Sequence, residues 1–281
     1  MNDDFWKSKL LIERRYFNGI NQFKTKLNKI LKTYSALSDI LKGISDYAES
    51  DEFKQVAYNE ALQMVASTSV TNARTWKEAA KKSTKGRQIY EALRDETSQS
   101  RVFNGLVKEN ATLIKSVPPY VADKITDYVH KETIKGRRPE DIAKEIRQYA
   151  PELSENRAKL IARTEASKAQ TAIIQSRASR LSMNYYFWDG VMDQRERPSH
   201  KIMQGVICDF RNPPAPEAIL GIKSTLGHYH AGNCPNCRCS PVPILDQDDA
   251  EYKAGKRNGR LKIVQGNSIV SISKAEFLRL F

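Results

Sequence analysis

The run Cys234-Pro235-Asn236-Cys237-Arg238-Cys239 constrains the fold of this chain more than any other feature. It packs three of the four cysteines of the 281-residue sequence into a Cys-x-x-Cys-x-Cys pattern, with three of the four histidines (His200, His228, His230) shortly before it. The surrounding stretch is rich in Pro and Gly and too poor in apolar side chains to close a core of its own. Thiolate and imidazole ligands at this density suit tetrahedral Zn2+, which can replace a hydrophobic core in holding irregular chain together. Thiols that merely fill cores tend to scatter through apolar runs, as Cys208 does in Val206-Ile207-Cys208-Asp209-Phe210, so Cys208 is expected to be a core residue. A disulfide would need an oxidising compartment. Met1-Asn2-Asp3-Asp4-Phe5-Trp6-Lys7 carries no apolar signal-peptide core, so export is not expected.

Upstream, residues 1 to about 183 read as almost wholly helical. Ile20, Phe23, Leu27, Ile30, Tyr34, Leu37, Leu41 and Ile44 follow one another in steps of three and four, the seam of a helix that packs on another helix. The next helix, capped by Ser50 with Asp51 and Glu52 in its first turn, offers Phe53, Val56, Ala57 and Met64 as the facing surface of a hairpin. A docking partner could share the same seam. Val117-Pro118-Pro119 starts a further helix that stops at Gly136. Arg138-Pro139-Glu140-Asp141 opens one that Ala150-Pro151 is expected to close, and Ser154-Glu155 begins a last long helix to about Met183. On that helix Glu165 reads as an ion-pair partner of Arg163 rather than a catalytic carboxylate.

Strand signals follow. Asn184-Tyr185-Tyr186-Phe187-Trp188 is short and aromatic, and Arg260 to Val264 and Ser268 to Ile272 alternate around a Gly266-Asn267 turn, before Ser273-Lys274-Ala275-Glu276 starts a short helix. Between them Asp246 to Gly259 reads as a polar linker. In the glycine-flanked stretch Gly227 to Gly232, His228 and His230 are expected on a mobile loop. Asp193 with Arg195 and Arg197 forms either a phosphate site or a local salt-bridged turn, the latter preferred.

With 46 Lys and Arg against 33 Asp and Glu, the net charge of +13 favours a polyanionic partner such as double-stranded DNA. Lys77, Lys81, Lys82, Lys85 and Arg87, where Ser83, Thr84 and Gly86 interrupt the helical pattern, are the candidate phosphate contacts; an ordinary solvated face is the equal alternative. No stretch approaches the ~20 apolar residues of a membrane span, and no membrane partner is expected.

Trp188, Asp193-Gln194-Arg195, His200, Gly205 and the closing Cys234-Pro235-Asn236-Cys237-Arg238-Cys239, with Ile161-Ala162-Arg163-Thr164-Glu165 upstream, resemble the Mu F-like minor head proteins of tailed bacteriophages over about residues 139 to 245. Members commonly carry His where this chain has Cys234, and Cys where it has His200. Each exchange replaces one Zn2+ ligand by another, which points to His200, Cys234, Cys237 and Cys239 as the ligands of a structural zinc, with His230 as a substitute for Cys239. The resemblance also implies that Glu165 ties its helix to the zinc-bearing sheet.

The expected fold is therefore α+β. A helical N-terminal arm (1–138) for docking on portal or capsid subunits precedes a small α+β domain stapled by a zinc knuckle (139–245), then a linker, hairpin and short helix (246–281). The expected function is that of a structural, non-enzymatic head component of the virion, assembled in the host bacterial cytoplasm and able to approach genomic DNA. Two other classes stand beside it: a zinc-dependent nuclease using His228 or His230, and a DNA-binding toxin-like protein.

Overall fold

The computed structural model describes residues 9–94, 101–247, 249–250 and 259–280. Helices come first: α1 (Leu10–Ile20), α2 (Gln22–Thr33), α3 (Leu37–Glu49), α4 (Asp51–Ala80), α5 (Gly86–Arg94), α6 (Arg101–Lys115), α7 (Val117–Ile134) and α8 (Pro139–Arg180). Then come β1 (Tyr185–Asp189), α9 (Pro198–Lys201), β2 (Ile207–Asp209), α10 (Pro216–Ile219), β3 (Ser240–Pro243), β4 (Arg260–Gln265), β5 (Ser268–Ser273) and a terminal helix, Lys274–Leu278. The α+β class expected from the sequence is the one observed. No described helix is long and apolar enough to cross a membrane.

The chain divides into two compact units, each discontinuous in sequence. One, a helical unit, gathers Leu10–Ala66 and Asn104–Ala166; the other, a sheet unit, contains Ser67–Phe103 and the chain from Ser167 onward, with Lys9. These units partition the chain differently from a sequential cut at residues 138 and 245.

In the helical unit the seam is buried at Ile20, Phe23, Leu27 and Ile30. It does not continue on one helix. Asn21 separates α1 from α2, and Tyr34 is extended (φ −112°, ψ 139°) and exposed, so α3 begins a new register. Ile40, Ile44 and Tyr47 turn inward there, while Leu37 and Leu41 are only half-buried. The spacing failed as a guide because three-four steps have meaning only along an unbroken helix, and Thr33-Tyr34-Ser35 supplies no strong helix former to hold α2 and α3 together. The hairpin packing is nonetheless intramolecular: Phe23, Tyr47 and Phe53 form an aromatic cluster with centroid separations of 4.9 to 6.2 Å. Ser50 caps α4 by accepting the Phe53 N–H at 3.2 Å.

Two further expectations meet different outcomes. Gly136 closes α7 at φ +72°, with the Arg137 N–H donating to the Glu132 carbonyl, as the sequence predicts. Pro151, however, lies inside α8 and does not end it. A proline within a helix costs about 3 kcal/mol through its missing N–H and ring clash. Packing outweighs that cost here, since Ile146, Ala150, Ser154, Ala158 and Ile161 are all buried along the same stretch.

In the sheet unit the strand order is β3-β1-β2-β4-β5. β1 pairs antiparallel with β2 and β3, and all five of its residues are buried. The β4–β5 hairpin turns on Gly266-Asn267 with Gly266 at φ +55°, and β4 joins β2 in parallel at Ile207↔Ile263. The tail thus extends the sheet. Ser273 and Glu276 form the reciprocal cap of the terminal helix, and Phe277 buries against Tyr185. The break between α4 and α5 falls where Ser83, Thr84 and Gly86 predict it; any Cβ at Gly86 would meet the Ala80 carbonyl oxygen at 2.4 Å. Asp246 receives Ser83 Oγ at 2.6 Å and the Thr84 N–H at 3.0 Å, and Asp249 receives the Leu245 N–H. The expected linker therefore starts as packed structure, because its carboxylates satisfy backbone donors. Its remainder, with Asp248 and residues 251–258, lies outside the described residues.

Candidate metal centre

His200, Cys237 and Cys239 are buried and bring Nδ1 and two Sγ atoms within 4.8 Å of one another. Three elements position them. α9 starts at Pro198, whose missing N–H suits a helix start, and buries Ser199 and His200. The cysteines sit in the tight turn before β3, with Asn236 at φ +58° and the Cys237 N–H donating to the Cys234 carbonyl. The polar side of α8 holds the loop ahead of that turn: Thr171 Oγ1 donates to the Ala231 carbonyl at 2.7 Å, and Gln175 donates to the Phe210 carbonyl at 3.0 Å. Gly232, at φ +92°, is required there, because an added Cβ would stand 2.5 Å from Thr171 Oγ1. Lys9 adds a buried amine that donates to Ser167 Oγ and to the Cys239 carbonyl.

His200 Nδ1 lies 3.4 Å from Cys239 Sγ and 3.7 Å from Cys237 Sγ. A tetrahedral zinc with ordinary Zn–N and Zn–S bonds separates such ligand atoms by about 3.6 Å. The donor set thus fits a soft divalent metal in both chemistry and spacing. Cys234 is buried beside His200 but outside this mutual triangle, its sulfur held by the Arg197 guanidinium at 2.5 Å. Glu196, also buried, approaches Cys239 with Oε1 3.4 Å from the sulfur. His200, Cys237, Cys239 and Glu196, with Arg195, Arg197 and Arg238, line a cleft of about 120 Å3.

The electrostatics are those of a thiolate facing a protonated imidazole. Hydrogen bonding with Cys239, and His200 alongside, pulls the Cys237 thiol well below its ordinary range despite burial. The same pairing and burial push Cys239 up. Burial opposes charge on His200, but hydrogen bonds with Cys234 and Cys237 outweigh it and raise its pKa to about 9. On the far side of the ring, His200 Nε2 is 2.9 Å from the Tyr229 hydroxyl, which in turn lies 2.7 and 2.9 Å from the two Glu217 oxygens. Ser199 Oγ donates to Glu217 at 2.9 Å. Burial raises Tyr229 first and its hydrogen bond to Glu217 adds to that; burial works to raise Glu217, but the Tyr229 and Ser199 hydroxyls hold it low.

The other predicted residues fall as follows. His230 is not beside the sulfurs: its Nδ1 is 3.1 Å from Tyr186 Oη and its Nε2 is 3.4 Å from Gln175, and burial lowers its pKa to about 4. It therefore does not substitute for Cys239. The loop expected to be mobile is packed instead, with Tyr229, His230, Ala231 and Gly232 buried and Gly227 and His228 exposed. Cys208 is fully buried, and desolvation pushes its thiol up, as a core position requires. The expected local salt-bridged turn forms only in part: Asp193 accepts the Arg195 N–H at 3.0 Å, but its close ion pair is with distant Arg238, at 2.5 and 2.6 Å, and Arg197 turns to Cys234. Arg163 pairs with Glu13, and Thr171 ties α8 to the loop ahead of the cysteines through the Ala231 carbonyl. Lys77, Lys81, Lys82 and Arg87 are exposed and Lys85 is half-buried; Lys81 pairs with Glu78 and Arg87 with Glu91. Sequence reasoning missed Tyr229, Glu217 and Glu196, which share no spacing with the cysteines; only Arg238, inside the Cys-x-Cys step, was signposted.

A family model described as Phage Mu protein F like protein matches residues 123–242. The match opens within α7, earlier than the 139 read from the motifs, and closes in β3. An uncharacterized protein of Haemophilus influenzae is 28% identical over 250 residues, which is 88% of this chain and 50% of that protein. The chain thus spans about half the length of the curated relative it matches. No solved structure matches it significantly. Residues 123–242, which hold most of α8, the β1 and β2 strands and every member of the His/Cys cluster, are thus the part of the chain that is similar to the phage Mu protein F-like family.

Proposed function

We propose that this chain is a structural minor head protein of a tailed bacteriophage, with the His/Cys cluster as a zinc staple rather than a reaction centre. The observation that carries the reading is the coincidence of two independent features: the Mu F-like match covers the same segment that brings His200, Cys237 and Cys239 together in a buried triangle. Cys234 would complete four protein ligands by exchanging its Arg197 contact for the metal, and a closed set of four marks a structural site. When bound, the ion would tie the His200 segment directly to the cysteine turn, beside the apolar packing of Met203, Val206 and Phe210. The nuclease reading is weaker, because His230 faces Tyr186 and Gln175, and Asp246 and Asp249 are engaged by backbone donors.

In this reading residues 1–138 act as the helical arm that grips portal or capsid subunits, 139–245 as the stapled head-protein domain, and 246–281 as its extension. Lys77, Lys81, Lys82, Lys85 and Arg87 would meet genomic DNA in the virion head, after assembly in the host cytoplasm. The test is fractionation of phage heads from infected cells. The chain should travel with portal and major capsid protein through density banding and carry about one zinc per copy. A chain found only in the free protein fraction, or one that cuts DNA and loses that cutting in His228→Ala, would overturn the assignment.

A further inference from the structure

The His200 ring has two nitrogens, and what each does is decided by its neighbours. Nδ1 faces the two sulfurs, whereas Nε2 faces Tyr229 Oη at 2.9 Å. Tyr229 has one hydroxyl proton. Glu217 offers it both carboxylate oxygens, at 2.9 and 2.7 Å, and already receives the Ser199 hydroxyl, so as an ionised acceptor it has no proton to give back. The Tyr229 proton therefore goes to Glu217, and the Tyr229 oxygen is left to accept from Nε2–H. A neutral ring with its proton on Nε2 presents a bare lone pair at Nδ1, on the side of Cys237 and Cys239. All four groups are buried: Ser199, His200, Glu217 and Tyr229 are between 2% and 7% exposed. Trp188, fully buried, packs against the His200 ring in a T-shaped contact at 5.3 Å between centroids.

We propose that Tyr229 and Glu217 are positioning residues of the metal centre: Glu217 orients the Tyr229 hydroxyl, Tyr229 accepts His200 Nε2–H, and the chain commits Nδ1 to the metal. Ser199, adjacent to His200 on α9, locks Glu217 of α10 from the other side. The inference rests on the zinc reading above and adds the residues that select the ligating atom. A carboxylate that reaches a ligating histidine through one hydroxyl has the same logic as direct carboxylate–histidine–metal arrangements, in which the outer partner sets tautomer and ring direction and its loss costs about 10- to 100-fold in metal affinity.

The experiment uses the full chain loaded with zinc. Chelator competition gives the zinc dissociation constant for wild type, Tyr229→Phe, Glu217→Gln and the control His228→Ala, an exposed histidine outside the chain. Ring 15N chemical shifts assign the His200 tautomer in wild type. Tyr229→Phe is expected to bind zinc about 10- to 100-fold more weakly, Glu217→Gln more weakly than wild type, and His228→Ala as wild type does. His200 should show metal on Nδ1 and a proton on Nε2. A Tyr229→Phe affinity within twofold of wild type, or zinc on Nε2, overturns the inference. If Tyr229→Phe does not fold, the wild-type ring shifts alone decide it. If wild type takes up no zinc, the staple reading fails separately, and a zinc-free His200 without its proton on Nε2 would then refute the hydrogen-bond chain as well.

Discussion

Leu27→Ala tests the central packing claim about the helical unit. Leu27 is 0% exposed on α2, between Phe23 and Ile30, which are themselves buried. Truncating a fully buried leucine removes its transfer free energy and leaves a cavity that rigid neighbours cannot fill, a cost of about 2 to 5 kcal/mol. Leu37 lies on the same sequence seam but is only half-buried at the start of α3. It forfeits part of the transfer term and opens to solvent rather than to a closed void, so Leu37→Ala should cost about 1 kcal/mol. Urea unfolding followed by far-ultraviolet circular dichroism reports on the helices directly. With an m-value of about 2 to 3 kcal/mol/M, Leu27→Ala should lower the midpoint by roughly 1 to 2 M, and Leu37→Ala by less than half that. Equal shifts for the two variants would refute the re-registered packing and restore a continuous seam. A Leu27→Ala protein of wild-type stability that fails to enter phage heads would instead assign the seam to a partner.

Three further outcomes are expected. Cys237→Ser should abolish zinc uptake, and removal of zinc from wild type by a strong chelator should shift the fluorescence of Trp188, which packs on His200, while leaving most helix content intact; Cys208→Ser should retain full zinc stoichiometry by elemental analysis. Replacing Lys77, Lys81, Lys82, Lys85 and Arg87 together by Gln should flatten the dependence of DNA affinity on salt, since each lost phosphate contact removes about one unit of slope; an unchanged slope in filter binding moves the contact elsewhere. His230 should stay neutral to low pH: an unfolded histidine titrates near 6.5, and burial lowers this one to about 4. Between those values the unfolded chain binds a proton that the folded chain refuses, so stability falls as pH drops through that window, by on the order of 3 kcal/mol in all. A His230 ring titrating near 6.5 by NMR would contradict it.

Local grammar was legible in the sequence wherever one short stretch decides a structure. Ser50, Gly136, Gly266-Asn267 and the Ser273/Glu276 pair stop or start elements through their own backbone preferences, and each acts where expected. Pro151 shows the limit of that grammar: its local cost is fixed, but the burial of Ala150, Ser154 and Ala158 that offsets it comes from residues distant in sequence. The candidate site divides along the same line. The cysteines were visible because three of them crowd one short turn. Glu217 and Tyr229 were not, because a hydrogen-bond chain through two short helices and a loop, far apart in sequence, leaves no period or spacing to read.

Magnitudes decide which contacts hold the 193–200 segment to the knuckle and which only steer it. The Asp193–Arg238 pair is bidentate, but its side chains are 33% and 22% exposed, and ion pairs near the surface contribute about 0 to 1 kcal/mol. Arg197 on Cys234 is similarly edge-placed, with its second guanidinium nitrogen on the Pro235 carbonyl at the surface. Neither can offset the ordering of a segment whose residues cost about 1 to 2 kcal/mol each to fix. In the proposed reading a structural zinc would contribute on the order of 10 kcal/mol, comparable with the cost of ordering that segment. In that reading the arginines set the direction in which the segment approaches, His200 and the cysteines would hold it through the metal, and the hydrogen-bonded chain through Tyr229 and Glu217 would keep the imidazole from turning its other nitrogen to the ion.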